Sequence, residues 1–120
     1  MIRHHYLSFK NAFSGIFFIL KNQTNFKIHI LLSFLAIFLS FFLKISYYEW
    51  LIIVFLITIG LLIEALNTII EELMDFIFDG WHEKVKLIKD MAAGMMLIFA
   101  LGSILIASLI FIPKILIFIK

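Results

Sequence analysis

Three long runs of apolar residues constrain the fold of this chain more than any other feature. They cover residues 28–43, 51–63 and 91–112, and short blocks of charged residues separate them. Apolar residues make up 64% of the 120 positions and charged residues only 15%. Because so few polar residues remain to cover a water-exposed surface, we expect an all-α integral membrane protein with a single domain over residues 1–120.

Each apolar run predicts a transmembrane helix, with bounds near residues 26–43, 50–70 and 91–112. A helix needs about 20 residues to cross a hydrocarbon core about 30 Å thick. The middle run rises only about 20 Å, so its helix must continue through Glu64 and Asn67. An ionisable side chain near the membrane edge is costly and usually has a function. Pro113 is expected to end the third helix.

Residues 4–21 have the pattern of an amphipathic helix. Apolar side chains recur at spacings of three and four residues, and polar side chains fall on the opposite side. This pattern is typical of a helix that lies in the membrane interface. A helix packed against the protein's own transmembrane helices is an equal alternative.

The distribution of basic residues predicts the orientation. Seven precede the first span or lie between the second and third spans, and three lie on the other side. By the positive-inside tendency, the amino terminus and the polar connection at residues 75–89 are cytoplasmic. We therefore expect a multi-pass protein of the inner (cytoplasmic) membrane without a removable signal peptide. The basic residues serve orientation, so nucleic-acid binding is not predicted.

Four polar residues fall on one side of the second transmembrane helix and its cytoplasmic extension. Glu64, Asn67, Glu71 and Asp75 are three, four and four residues apart, so they form a stripe roughly 80° wide, whereas Glu72 lies beside it. Carboxylates one turn apart repel each other unless a cation lies between them. Oxygen ligands suit Mg²⁺. Alternatively, these acids end the helix or pair with the lysines at positions 84, 86 and 89.

A second polar patch begins the third transmembrane helix. Lys89 there is suited to neutralise a phosphate, and Asp90 to hold metal or orient that lysine; interface anchoring is the alternative. The sequence has neither a GxxxxGK[ST] phosphate loop nor a Gly-rich kinase loop. Metal, lysine and polar side chains would therefore have to hold any nucleotide.

These two motifs resemble the small prokaryotic diacylglycerol kinases. The segment from Glu64 to Asp75 has the pattern ExxNTxxExxxD, and the segment that starts at Lys89 has the pattern KDxxAG. The resemblance covers nearly the whole chain, including the interfacial helix, three spans and loop lengths. Asn25 and Phe26 with His29 look more like the Gram-positive branch, whose members are similar to undecaprenol kinases.

The resemblance implies a homotrimer with sites shared between neighbouring subunits. It also implies transfer of the γ-phosphate of ATP to a lipid hydroxyl at the cytoplasmic surface, with Mg²⁺. Glu64 would be the general base that meets the lipid hydroxyl, and Asn67 a second catalytic residue. His29 lies near the start of the first span, where it would meet the site or the lipid substrate, although a lone histidine is more often a packing residue.

The resemblance also assigns the nucleotide and metal ligands. Glu71 would bind metal, Asp75 would help to position nucleotide and metal, and Lys89 and Asp90 would meet the phosphates. Gln23 stands where the family usually has a glutamate that shares the metal with the counterpart of Glu71. An amide offers a neutral oxygen without a charge, so we expect weaker metal binding.

The leading prediction is an ATP-dependent undecaprenol kinase. A diacylglycerol kinase that forms phosphatidic acid is the alternative substrate assignment, and no residue separates the two lipids. Two other classes compete: a small ion-coupled transporter that uses Glu64 as its ion site, and an inactive membrane partner, which Gln23 favours. A stripe that extends to Asp75 and a patch with Lys89 fit a phosphate and metal site better than a single ion site.

Overall fold

The computed structural model describes all 120 residues as four α-helices joined by short connections. The helices are α1 (Ile2–Asn22), α2 (Thr24–Phe42), α3 (Tyr47–Ile77) and α4 (Glu83–Ile119). Three of them, α2, α3 and α4, are long and apolar enough to cross a membrane. The predicted all-α membrane fold with three spans and an additional N-terminal helix is confirmed.

The helices α3 and α4 extend well beyond the predicted spans. They have 31 and 37 residues, or about 46 and 55 Å, compared with a hydrocarbon core of about 30 Å. Most of the polar connection expected at residues 75–89 is therefore helical, and only residues 78–82 join the two helices. The backbone keeps its helical hydrogen bonds outside the membrane as well. The point in the sequence where polar residues begin therefore does not mark the end of the helix.

The prediction that Pro113 ends the third transmembrane helix is wrong. Helix α4 continues through Pro113 to Ile119, and the N–H of Lys120 still donates to the carbonyl of Leu116 at 3.3 Å. Proline removes one backbone donor. Where little water is available, every remaining backbone group gains from staying bonded within the helix, so the helix resumes after the proline.

The buried apolar core lies at the end of the bundle where α2 turns into α3. Ser46 begins α3 with a capping box: its hydroxyl accepts from the N–H of Glu49 at 3.3 Å, and the carboxylate of Glu49 accepts from the N–H of Ser46 at 3.0 Å. Lys114 of α4 lies 3.4 Å from the same carboxylate. Four buried side chains form the core beside this turn: Ile45, Ile53, Ile110 and Phe111.

The other end of the bundle carries the polar residues and the N-terminal helix. The chain breaks between α1 and α2 at Gln23, which has an extended backbone. Helix α1 buries none of its residues, and its apolar side chains remain open, with Phe9 and Phe13 each 68% exposed. An apolar face that the protein leaves uncovered fits a helix lying in the membrane interface.

Candidate active site

The polar stripe of α3 faces the interior of the bundle. Glu64, Asn67 and Thr68 are buried, and they are three of only four buried polar residues in the chain. Farther along the helix the side chains are less buried: Glu71 is half-buried and Asp75 is exposed. The row predicted from the spacing therefore faces inward at Glu64 and Asn67. Toward the C-terminal end of α3, the same row becomes exposed to solvent.

Glu64 lies beside His29 of α2. Its Oε2 atom is 3.7 Å from Nε2 of the imidazole, and the two side chains are 4% and 23% exposed respectively. This separation is longer than a hydrogen bond, so the two groups interact through charge when the imidazole is protonated. The structure thereby brings His29, which the sequence placed only near the first span, next to the candidate base.

A glycine lets the ring of Phe99 in α4 pack closely against α3. A β-carbon at Gly60, one turn before Glu64, would lie 2.8 Å from Cε1 of Phe99 and 3.8 Å from Nδ1 of His29. A side chain at this position would therefore push against the ring of Phe99. The sequence interpretation missed Gly60 and Phe99, although an isolated glycine within an apolar helix often marks a close approach of another element.

Asn67 has an unsatisfied oxygen at the centre of the stripe. Its Oδ1 is buried and accepts no hydrogen bond, whereas the neighbouring hydroxyl of Thr68 donates to the carbonyl of Glu64 at 3.0 Å. A buried acceptor without a partner costs roughly 1–3 kcal/mol. A donor or cation from a ligand would remove this cost, so this oxygen is a candidate ligand contact.

Two short ion pairs connect the polar patch at the exposed end of the stripe. Lys89 of α4 donates to Asp75 of α3 at 2.6 Å, and Lys86 donates to Asp90 at 2.6 Å. The alternative that lysines pair with the acids therefore holds for Asp75, and Asp90 contacts Lys86 rather than Lys89. Exposed pairs of this kind contribute about 0–1 kcal/mol, so an anionic ligand can displace Asp75 from Lys89 at little cost.

The donor atoms of the stripe fit a cation that is bound together with phosphate. No three His, Asp or Glu side chains come together as a metal site, but the carboxylate of Glu71 and the orphaned oxygen of Asn67 lie on one side of α3. Mg²⁺ uses one or two protein carboxylates and takes its other ligands from phosphates and water. Gln23, the other predicted metal ligand, is half-buried at the break between α1 and α2.

Two open clefts adjoin the stripe. One, of about 490 Å³, lies between α1 and α3 and includes Thr68 and Glu72 in its lining. The other, of about 790 Å³, lies between α3 and α4 and is almost wholly apolar. Its lining residues are Ile63, Met91, Gly94, Met95, Ile98 and Phe99. The surface of the first cleft is also almost wholly apolar, so both clefts suit apolar ligands.

Comparison with known proteins assigns the family. Residues 10–111 match the model of the prokaryotic diacylglycerol kinase family. The undecaprenol kinase of Bacillus subtilis is 36% identical over 113 residues, which cover 94% of this chain and 92% of that protein. The diacylglycerol kinase of a Synechocystis species is 26% identical over 111 residues, which cover 92% of this chain and 63% of that longer protein. The chain therefore belongs to the prokaryotic diacylglycerol kinase family, and it is a membrane lipid kinase.

Proposed function

We propose that this lipid kinase transfers the γ-phosphate of ATP to the hydroxyl of undecaprenol at the cytoplasmic face of the membrane. One observation carries the proposal: a buried carboxylate, Glu64, begins a polar row that opens to solvent at Asp75. The B. subtilis relative, which this chain matches over 92% of its length, is named an undecaprenol kinase. Diacylglycerol is the second candidate substrate, supported by the name of the Synechocystis relative.

The depth of the stripe in the membrane suits a reaction between a lipid and a water-soluble nucleotide. Measured along α3 from Trp50, an aromatic residue at the far membrane boundary, Glu64 lies about 21 Å away and Asp75 about 37 Å away. With a hydrocarbon core of about 30 Å, Glu64 lies about 9 Å inside the near edge of the membrane and Asp75 is outside it. A lipid anchored by its own chain delivers its hydroxyl near Glu64, and ATP approaches from the side of Asp75.

In the proposed mechanism, Glu64 accepts the proton of the lipid hydroxyl while the hydroxyl oxygen attacks the γ-phosphorus and the bond from this phosphorus to ADP breaks. Asn67 accepts a hydrogen bond from a bound ligand through its free oxygen. Lys89 moves from Asp75 to the phosphate oxygens. Glu71 and the neutral carbonyl oxygen of Gln23 would hold Mg²⁺, which would neutralise phosphate charge. Positioning and charge neutralisation supply most of the catalysis in phosphoryl transfer.

The proposal includes a homotrimer with the amino terminus and the α3–α4 connection in the cytoplasm. Only 11 of the 120 residues are buried in the isolated chain, so large apolar faces remain for lipid or for other subunits. The excess of basic residues at the polar end supports the orientation.

The choice of lipid is tested with purified protein in mixed micelles that contain undecaprenol or diacylglycerol, together with Mg²⁺ and γ-labelled ATP. We expect kcat/KM for undecaprenol to exceed that for diacylglycerol by about tenfold or more, a difference of about 1.4 kcal/mol in transition-state binding. A preference for diacylglycerol would move the assignment to the second candidate.

Gln23→Glu should strengthen metal binding. We expect the Mg²⁺ concentration for half-maximal activity to fall about fivefold, because a charged carboxylate replaces a neutral amide oxygen. The measurement is a Mg²⁺ titration of activity at saturating ATP and lipid. Asn22→Asp, which adds the same charge at the adjacent exposed position, is the matched control. An unchanged Mg²⁺ requirement in Gln23→Glu would remove Gln23 from the metal site.

A further inference from the structure

A general base at position 64 must be reset after each turnover, and this requirement rests on the proposed function. When Glu64 takes the lipid proton it becomes a neutral carboxylic acid, which cannot act as a base again until the proton leaves. Its side chain is only 4% exposed, so water has almost no direct access to the carboxyl group. The proton therefore needs an acceptor within the protein or the bound substrates.

His29 is the one basic residue whose side chain lies within 4 Å of the Glu64 carboxylate. Its Nε2 lies 3.7 Å from Oε2 of Glu64, and its side chain is 23% exposed, compared with 4% for that of Glu64. The other charged groups nearby have different partners or roles: Glu71 is the proposed metal ligand, and Lys89 is paired with Asp75. Histidine is the side chain best suited to accept and release a proton near neutral pH.

The surroundings of His29 differ from those of a packing histidine. No protein group hydrogen-bonds to its imidazole; the hydroxyl of Ser33 donates to its backbone carbonyl at 2.7 Å instead. The imidazole lies beside Gly60, where a β-carbon would be in ordinary van der Waals contact with Nδ1, at 3.8 Å. The ring thus lies between Gly60 and Glu64. Neither of its nitrogens has a hydrogen-bond partner in the protein, so both can take part in proton transfer.

We infer that His29 is the proton outlet of Glu64. As the lipid oxygen forms its bond to the γ-phosphorus and the bond from phosphorus to ADP breaks, the hydroxyl proton passes to Glu64. Nε2 of neutral His29 then takes this proton and restores the carboxylate, and the imidazolium releases the proton on Nδ1 to water. Proton exchange with water then returns the ring to the tautomer in which Nε2 is free to accept. The net result is one proton released for each lipid phosphorylated. A small side-chain movement would shorten the 3.7 Å between Nε2 of His29 and Oε2 of Glu64 to the length of a hydrogen bond. Catalytic hydrogen bonds commonly shorten in this way when substrate binds.

The test is a rapid-quench time course with His29→Gln, γ-labelled ATP and whichever lipid the wild-type protein phosphorylates faster. Glutamine retains hydrogen bonding but carries no proton. Because the relay acts after phosphoryl transfer, we expect the first turnover to stay within about twofold of wild type. Later turnovers should slow about tenfold or more, which leaves a burst of about one product per active site. Added imidazole should restore steady-state turnover in His29→Ala.

Ser33→Ala is the matched control, because Ser33 lies one turn further along α2 and touches only the backbone of His29. Both phases should remain at the wild-type rate in this variant. A His29→Gln protein with normal steady-state turnover would overturn the relay, and so would an equal slowing of first and later turnovers. A wild-type protein that phosphorylates no lipid would overturn the proposed function and the relay together, so the two failures are distinguishable.

Discussion

Glu64→Gln should reduce lipid phosphorylation by about 10³-fold while the protein keeps its helical content and its oligomeric state. The substitution keeps the size of the side chain and removes only its ability to accept the hydroxyl proton. A positioned general base contributes about 10²–10⁴-fold to a rate, and Glu64 is the most deeply buried carboxylate in the chain. The measurement is the initial rate at which phosphorylated lipid forms at saturating ATP and Mg²⁺.

Glu72→Gln is the matched control for this experiment. Glu72 lies on the same helix but beside the polar stripe, and it is exposed, so its loss should leave the rate within about twofold. Unaltered turnover in a folded Glu64→Gln protein would contradict the role of Glu64 as the base. Loss of ion flux in Glu64→Gln, with no kinase activity in the wild type, would support the transporter alternative instead.

Glu71→Gln should reduce activity about 100-fold at ordinary Mg²⁺ concentrations and raise the Mg²⁺ needed for half-maximal activity. Gln23 already supplies an oxygen without charge, so this variant would have no charged ligand at either proposed metal position. Replacement of groups that hold a metal typically costs 10–100-fold in affinity or activity. The effect should diminish as Mg²⁺ is raised, in contrast to Glu64→Gln, which should stay inactive at any Mg²⁺ concentration.

Glu83→Gln provides the control for Glu71→Gln, because Glu83 is an exposed carboxylate in the first turn of α4. Its removal should leave the Mg²⁺ titration unchanged. The double variant Gln23→Glu with Glu71→Gln is informative as well: one carboxylate is restored at the other proposed position, and we expect partial recovery of metal affinity. An identical Mg²⁺ requirement in wild type and Glu71→Gln would remove Glu71 from the metal site.

The membrane fold and the polar stripe were predictable because both depend on local periodicity. Long apolar runs require helices in a membrane, since backbone groups must be bonded within the segment. The spacing of Glu64, Asn67 and Glu71 fixes their common direction on any regular helix. The structure accordingly buries Glu64 and Asn67 and leaves Glu72 exposed. The matched family accounts for the lipid kinase activity.

The features that were not predictable depend on contacts between helices. The approach of His29 to Glu64 follows from how α2 packs and rotates against α3, and the spacing of residues along one helix contains no such information. The same is true of the pair between Asp75 and Lys89, which joins α3 to α4. The helix end was misjudged at Pro113 because proline often ends helices in water, whereas continued hydrogen bonding is favoured near a membrane.

The two ends of the bundle have different roles. At the α2–α3 turn, a capping box, an ion pair and a buried apolar cluster fix the helices relative to one another. At the opposite end, the ion pairs are exposed and α1 buries no residue. A firmly packed end together with an open polar end allows substrates to enter without disturbing the core, and the proposed chemistry lies between them at Glu64.

The most direct test of lipid phosphorylation at this polar stripe measures how much label from γ-labelled ATP is recovered in the lipids extracted with organic solvent. Purified wild-type and Glu64→Gln proteins are incubated in parallel with Mg²⁺, membrane lipids and added undecaprenol. We predict labelled lipid from the wild type, with one ADP formed for each labelled molecule, and none above background from Glu64→Gln. Label that remains in ATP or appears only as inorganic phosphate with the wild type would contradict the assignment.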